Sequence, residues 1–150
     1  MEQGQRPRVI VVTGLSGAGN STALNAFSDL GLHCIDNIPV EVLSETLKLL
    51  LKGRFGEENG LAICMDARDP KFAGAYADIR KELAQQTSIV TLFLTADSAT
   101  LARRYSTTRR RHPLMTPGAT LVEAISAERA LLSPIEDSAD AVFDLSLIHI

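Results

Sequence analysis

The chain has 150 residues, of which 45% are hydrophobic, with two cysteines, no tryptophan and a net charge of −3. That size suits one domain with its own apolar core, and the acidic balance offers no global basic field to attract nucleic acid. No apolar run approaches the roughly 20 residues of a membrane span, and residues 1–8 are too polar for a secretion signal, so the expectation is a soluble, cytoplasmic protein with no membrane partner.

Val9, Ile10, Val11 and Val12 form a continuous β-branched run, the mark of a strand buried on both faces. Directly after it stands Gly14-Leu15-Ser16-Gly17-Ala18-Gly19-Asn20-Ser21. This string fits the phosphate-binding pattern G-x-x-x-x-G-K-[ST] except at one position, where Asn20 stands in place of the lysine. Glycines there let backbone N–H groups turn inward onto phosphate oxygens, and the Ser21 hydroxyl is placed to ligate Mg²⁺. The lysine would have set a positive charge on the β- and γ-phosphates, so binding survives its loss more readily than catalysis. Downstream, Ala23, Leu24, Phe27 and Leu30 recur at helical spacing, and Gly31 stands where a C-cap glycine belongs. Such a helix aims its N-terminal dipole at bound phosphate. An ordinary glycine-rich turn of another α/β fold would also carry such a string; the order strand, loop, helix argues for the cradle.

Beyond this unit the pattern predicts a strand over residues 33–37 and a helix opened by Pro39 with Leu43, Leu47 and Leu50 on one face. A polar turn covers residues 53–60, and a strand over 61–65 ends at Asp66. Phe72, Tyr76, Ile79 and Leu83 mark a helix, residues 89–94 a strand, and Asp97 or Ser98 caps a helix running to about Thr107. A basic loop with Pro113 and Pro117 leads to a helix from about Thr120 to Ser133, then a strand over 141–145. Strands and helices in alternation predict an α/β, doubly wound, mainly parallel five-stranded sheet of P-loop NTPase or kinase-like type, spanning residues 9–146 after a tail of residues 1–8. Cys34 and Cys64 lie in apolar runs without a nearby Cys or His set, and read as reduced thiols rather than zinc ligands.

In doubly wound sheets ligands sit beyond the carboxyl ends of the strands, which makes Asp36 and Asp66 candidates. Asp66 heads the string Asp66-Ala67-Arg68-Asp69; a carboxylate there could hold Mg²⁺ through water or cap a turn. Asp36 could meet substrate, base or ribose, or serve a turn with Asn37 and Pro39. The other concentrated feature is Arg103-Arg104-Tyr105-Ser106-Thr107-Thr108-Arg109-Arg110-Arg111-His112-Pro113, which holds five of the fifteen Lys and Arg residues. Its arginines could close over bound phosphates as a lid, track an RNA backbone, or form a solvated helix end. Asp66, Arg109 and Arg110 are therefore the candidates for a catalytic part. His112 reads as a loop residue that nothing in the sequence pairs with a nucleophile.

Together with Ser21-Thr22-Ala23-Leu24, Asp29-Leu30-Gly31, Cys34-Ile35-Asp36-Asn37-Ile38-Pro39, Leu92-Phe93-Leu94, His112-Pro113-Leu114, Ala124-Ile125, Glu128-Arg129 and Ala139-Asp140, these strings resemble the RNase adapter family, the RapZ-type P-loop proteins of bacteria. The resemblance runs over about residues 9–146. It implies binding of ATP and GTP with Mg²⁺, hydrolysed by some members, with an ATP segment over residues 14–21 and a GTP-linked segment over Asp66, Ala67, Arg68 and Asp69. For some members it implies binding of a small regulatory RNA and its presentation to an endoribonuclease. It also implies a second, C-terminal domain that lies outside this chain and could form a homo-oligomer. Two departures stand out: Asn20 where the family has lysine, and Leu147-Ile148-His149-Ile150 where it has an amphipathic helix, so that residues 147–150 are expected to be a truncated or foreign terminus. The expectation is an ATP- or GTP-binding regulator with weak or absent NTPase activity. A small-molecule kinase of P-loop type and a nucleotide-free RNA- or protein-binding scaffold are the alternatives.

Overall fold

A computed structural model describes residues 8–52, 60–107 and 111–147. Strands and helices alternate along them as β1 (Arg8–Gly14), α1 (Asn20–Asp29), β2 (His33–Asp36), α2 (Val40–Lys52), β3 (Leu61–Cys64), α3 (Phe72–Leu83), β4 (Ser88–Thr95), α4 (Ser98–Ser106), α5 (Leu121–Ser138) and β5 (Ala141–Asp144). The strands form one sheet in the order β2-β3-β1-β4-β5, and all neighbours run parallel. The central position of β1 follows from its sequence. Val11 pairs with Ile63 on one side and Thr91 on the other, and a strand so enclosed needs apolar residues on both faces.

The pleat of β3 divides the core. Ala62 and Cys64 pack with Leu24 and Phe27 of α1, whereas Leu61 and Ile63 join the larger cluster with Leu43 and Leu47 of α2 and Phe72 and Tyr76 of α3. Helices thus cover both faces, as a doubly wound sheet requires. The chain leaves β1 toward β2 but leaves β3 toward β4, in opposite directions across the sheet. The crevice where ligands bind in such sheets therefore opens at the carboxyl ends of β1 and β3.

Element boundaries differ from the sequence-based expectation at several points. β2 stops at Asp36 because Asn37 takes φ 59°, a left-handed conformation that ends an extended run. β3 stops at Cys64, although Met65 N–H still donates to the Val12 carbonyl. Helix α5 continues five residues beyond Ser133, through Pro134. Proline removes one helical N–H, but Leu132 and Ile135 on either side of it are buried in the core, and that burial keeps the helix intact. The polar turn expected at residues 53–60 lies, except for Gly60, outside the described residues. So do residues 1–7 of the expected tail. Asp97 caps α4 by accepting from Thr100 N–H at 2.7 Å. Both cysteines are free; Cys64 is buried and Cys34 half-buried.

Candidate functional site

The loop between β1 and α1 passes against the end of β4. Leu15 N–H donates to the Leu94 carbonyl at 3.0 Å, and a Cβ at residue 14 would lie 2.1 Å from that same oxygen. With φ at 146°, only glycine fits there. Leu15 and Ala18 are buried beneath the loop and hold it to the core. Gly17 forms its exposed tip at φ 88°. Gly19 is the N-cap of α1, so Asn20 and Ser21 open the helix where unpaired N–H groups and the positive end of the dipole collect. Ser21 is exposed. Asn20 has its Oδ1 buried without a hydrogen-bond partner.

The loop is held from behind by a residue that sequence reasoning did not single out for any role. Glu128, fully buried on α5, accepts from Ser16 N–H with Oε1 at 2.9 Å and from Ser16 Oγ–H with Oε2 at 2.6 Å. Its Oε1 also lies 3.1 Å from Nε2 of His112, which is itself buried. Nδ1 of His112 accepts from Leu114 N–H at 3.1 Å, which assigns the ring proton to Nε2 and makes that nitrogen the donor. His112 stands in a loop, as expected, but it is buried there as a partner of the P-loop's support. The signal was present in the sequence: Glu128 shares the helical stripe of Ala124, Ile125, Leu132 and Ile135, which are otherwise apolar and buried. A buried charge on such a face needs partners.

Helix α4 supplies two further contacts. Tyr105 lies over the loop tip, its Cε2 3.2 Å from where a Cβ at residue 17 would stand, and its ring is 5.2 Å from that of His112. Arg104 donates to the Gly17 carbonyl and to the Leu145 carbonyl, both at 2.9 Å. Its guanidinium therefore braces the loop against the end of β5. Arg103 reaches Thr100 Oγ1 at 3.4 Å, and Arg111 is exposed. Arg109 and Arg110, the other lid candidates, lie outside the described residues.

Across the crevice, Asp66 stands two residues past the end of β3, whose Cys64 pairs with Val12 of β1. Asp66 is buried, and Arg68 clasps it: Nε is 3.0 Å from both carboxylate oxygens and Nη2 is 2.9 Å from Oδ2. Arg68 N–H also donates to Oδ1 at 2.9 Å, which closes an Asx turn. The same guanidinium reaches the exposed Asp36 at 3.6 Å. These contacts, the hydrogen bond to Asp66 foremost, raise the Arg68 pKa above its usual value. Asp69 is spent on structure, accepting from Val40 N–H at 2.8 Å at the start of α2 and from Lys71 N–H at 3.0 Å. Ala67 is buried between them. Among the described residues no group of three or more His, Cys, Asp or Glu side chains could hold a metal unaided. A Mg²⁺ at Ser21 and Asp66 would need phosphate oxygens and water to complete its shell, which is its habit in nucleotide sites.

A parallel sheet in this order, with a glycine cradle between β1 and α1, defines a P-loop protein of kinase-like fold. Shikimate kinase from Bacteroides thetaiotaomicron superposes with a TM-score of 0.61 at 20% identity, covering 91% of this chain and 85% of the kinase. Thymidylate kinase from Candida albicans gives 0.53 at 15% identity, covering 95% and 85%. Identities so low establish the fold alone.

The chain belongs to the family defined by the RapZ-like N-terminal domain, whose model matches residues 8–150. Among its curated relatives, a protein of Anaeromyxobacter sp. (strain K) named "Nucleotide-binding protein" is 41% identical over 146 residues, 96% of this chain and 49% of the relative. One of the same name from Thermotoga neapolitana is 44% identical over 137 residues, 91% of this chain and 47% of the relative. The chain spans about half the length of these relatives. No helix among the described residues is long and apolar enough to cross a membrane.

Proposed function

We propose that this chain binds ATP or GTP with Mg²⁺ on the loop of residues 14–21, hydrolyses it slowly at most, and uses the bound nucleotide to set an interaction with RNA or protein in the cytoplasm. The observation that carries the reading is the loop itself: a glycine-tipped turn braced from below, ending in the N-terminus of a ten-residue helix at the crevice of the sheet. Ser21 would hold the metal directly and Asp66 through water, while backbone N–H groups of the loop would orient the phosphates. The ion, when bound, supplies the positive charge that Asn20 does not. With no ammonium at residue 20, charge developing in the transition state loses a stabilising group, so turnover suffers more than binding.

The names of the curated relatives support nucleotide binding. The resemblance to RNase adapters supports a regulatory RNA and an endoribonuclease as partners, with Arg103, Arg109, Arg110 and Arg111 as the residues that would track an RNA backbone. Thermal unfolding with Mg-ATP and with Mg-GTP tests the reading. A ligand that binds only the folded chain stabilises it by about 2.7 kcal/mol at a hundredfold excess over Kd. An unmoved melting temperature with both nucleotides, with and without Mg²⁺, would refute nucleotide binding and leave the scaffold.

A kinase reading draws on Asp36 and Arg68, whose side chains are both more than half exposed beside the crevice, where a phosphoryl acceptor would sit. A kinase consumes ATP faster when its acceptor is supplied. Hydrolysis that stays slow with every small acceptor tried removes that reading.

A further inference from the structure

We propose that Glu128 is a positioning residue for the nucleotide site, and that its carboxylate makes residues 112–115 respond to what the P-loop holds. The inference rests on the nucleotide-binding reading above. A buried carboxylate beside a cradle for polyanions is unfavourable twice over, through lost hydration and through repulsion of phosphate. Packing alone would place an apolar residue here, as the rest of the α5 stripe does. What Glu128 has in exchange is at least one donor on each oxygen, two of the three coming from Ser16, 112 positions away in the chain.

Those two bonds fix the peptide plane and the side chain of the residue immediately before the Gly17 tip. The third donor carries the constraint outward. Oε1 receives both Ser16 N–H and His112 Nε2–H, so a displacement of one donor is felt by the other through a single atom. His112 in turn organises its own segment: its Nδ1 accepts Leu114 N–H, and its carbonyl accepts Met115 N–H at 2.9 Å. Tyr105 packs against both the loop tip and the His112 ring. The segment that follows the arginine-rich string is thus tied to the P-loop through one carboxylate. Buried polar networks of this kind rigidify as a unit, and a ligand that holds one end biases the other.

The test combines nucleotide affinity with amide hydrogen exchange at Leu114 and Met115, read in the full chain with Mg-ATP and Mg-GTP. In the unaltered protein, nucleotide should slow exchange at both amides at least about fivefold, although neither belongs to the P-loop. Glu128→Ala should weaken affinity about tenfold or more and abolish the slowing. Glu128→Gln should restore both, because its oxygen can still accept from Ser16 N–H and His112 Nε2–H while its amide donates to Ser16 Oγ. Should Glu128→Ala fail to fold, His112→Phe keeps the ring against Tyr105 and removes the link; it should bind nucleotide without slowing Met115. Nucleotide binding with no change at residues 114 and 115 overturns the coupling alone. Failure of Glu128→Gln to restore either property also overturns it. No binding of either nucleotide to the unaltered chain overturns the functional reading beneath it.

Discussion

Arg68 lies across Asp66, its Nε 3.0 Å from both carboxylate oxygens and its Nη2 2.9 Å from one of them. The carboxylate proposed to hold Mg²⁺ through water is therefore already neutralised by a guanidinium two residues along the chain. A metal ion at this position has to share Asp66 or displace Arg68. Because the Arg68 side chain is more than half exposed, the competition is worth about 1 kcal/mol. Arg68→Ala should lower the Mg²⁺ concentration that half-saturates nucleotide binding by about fivefold. A Mg²⁺ titration of nucleotide affinity in both proteins measures this; coincident curves would mean that Asp66 takes no part in holding the metal.

Asn20 opens α1 with its Oδ1 buried and unpartnered. Restoring a lysine replaces that group with a cation whose charge-assisted bonds to phosphate contribute roughly 1.5–3 kcal/mol. Asn20→Lys should tighten ATP or GTP binding by about ten- to a hundredfold and raise turnover by more. Calorimetric titration and single-turnover hydrolysis of the two proteins provide the comparison. Equal affinity and equal turnover would show that residue 20 does not meet the phosphates.

Gly17 sits at φ 88° with Tyr105 Cε2 only 3.2 Å from the site of a Cβ. Gly17→Ala should lower stability by about 1–2 kcal/mol from the left-handed backbone alone and weaken nucleotide binding further by shifting the loop tip. Adding Tyr105→Leu should recover the part due to crowding and leave the backbone part in place. Urea unfolding of the single and double variants separates the two; full recovery in the double variant would contradict the backbone contribution.

Burial raises the Cys64 thiol from 9.0 to about 12, with the charges of Asp36 and Asp66 adding to the shift, and burial likewise raises the Tyr76 phenol from 10.0 to about 12. Below about pH 9 both groups are protonated in the folded and the unfolded chain, and their contribution is fully present. Between there and about pH 12 the unfolded chain loses protons that the folded chain keeps. Stability should fall as pH rises, by up to about 1.4 kcal/mol per pH unit for each group once its unfolded pKa is passed. Denaturant unfolding from about pH 8 to pH 11 tests this, and Cys64→Ala should flatten the early part of the decline. A level profile would contradict the assignment.

If the arginine-rich string binds RNA, each phosphate contact it makes adds to the salt dependence of affinity, by about 0.7 in the logarithmic slope for a single strand. Replacing Arg109, Arg110 and Arg111 together with alanine should reduce that slope by about 2. Arg104 is not suited to this test, because it braces Gly17 and Leu145 and its loss would disturb the cradle. An unchanged slope would exclude these three residues from RNA binding.

Much of the molecule could be read from short stretches of chain. The β-branched run at residues 9–12, the glycine string after it and the helical spacing of Leu24 and Phe27 each depend on neighbours within a turn or two. Strand alternation, cap residues and turn glycines act over that same range. The parallel sheet and the position of the P-loop therefore followed from local pattern, and Asp66 could be placed at a strand end for the same reason. The extension of α5 through Pro134 did not follow, because local chemistry favours a stop there and burial of Leu132 and Ile135 in the main core outweighs it.

By itself, then, the order of amino acids determined the sheet, the glycine cradle at its crevice and the absence of a lysine from that cradle. Only the tertiary structure decided how the cradle is held. Ser16 and Glu128 stand 112 positions apart, and their meeting depends on α5 packing with its charged position turned toward the end of β1. His112 joins them with its ring packed beside that of Tyr105 on α4. Arg104 faces the loop rather than solvent because the end of β5 offers it a second carbonyl. Periodicity tells which face of a helix is buried, but it carries no information about which distant residue will be waiting there. That is settled by the packing of the whole chain.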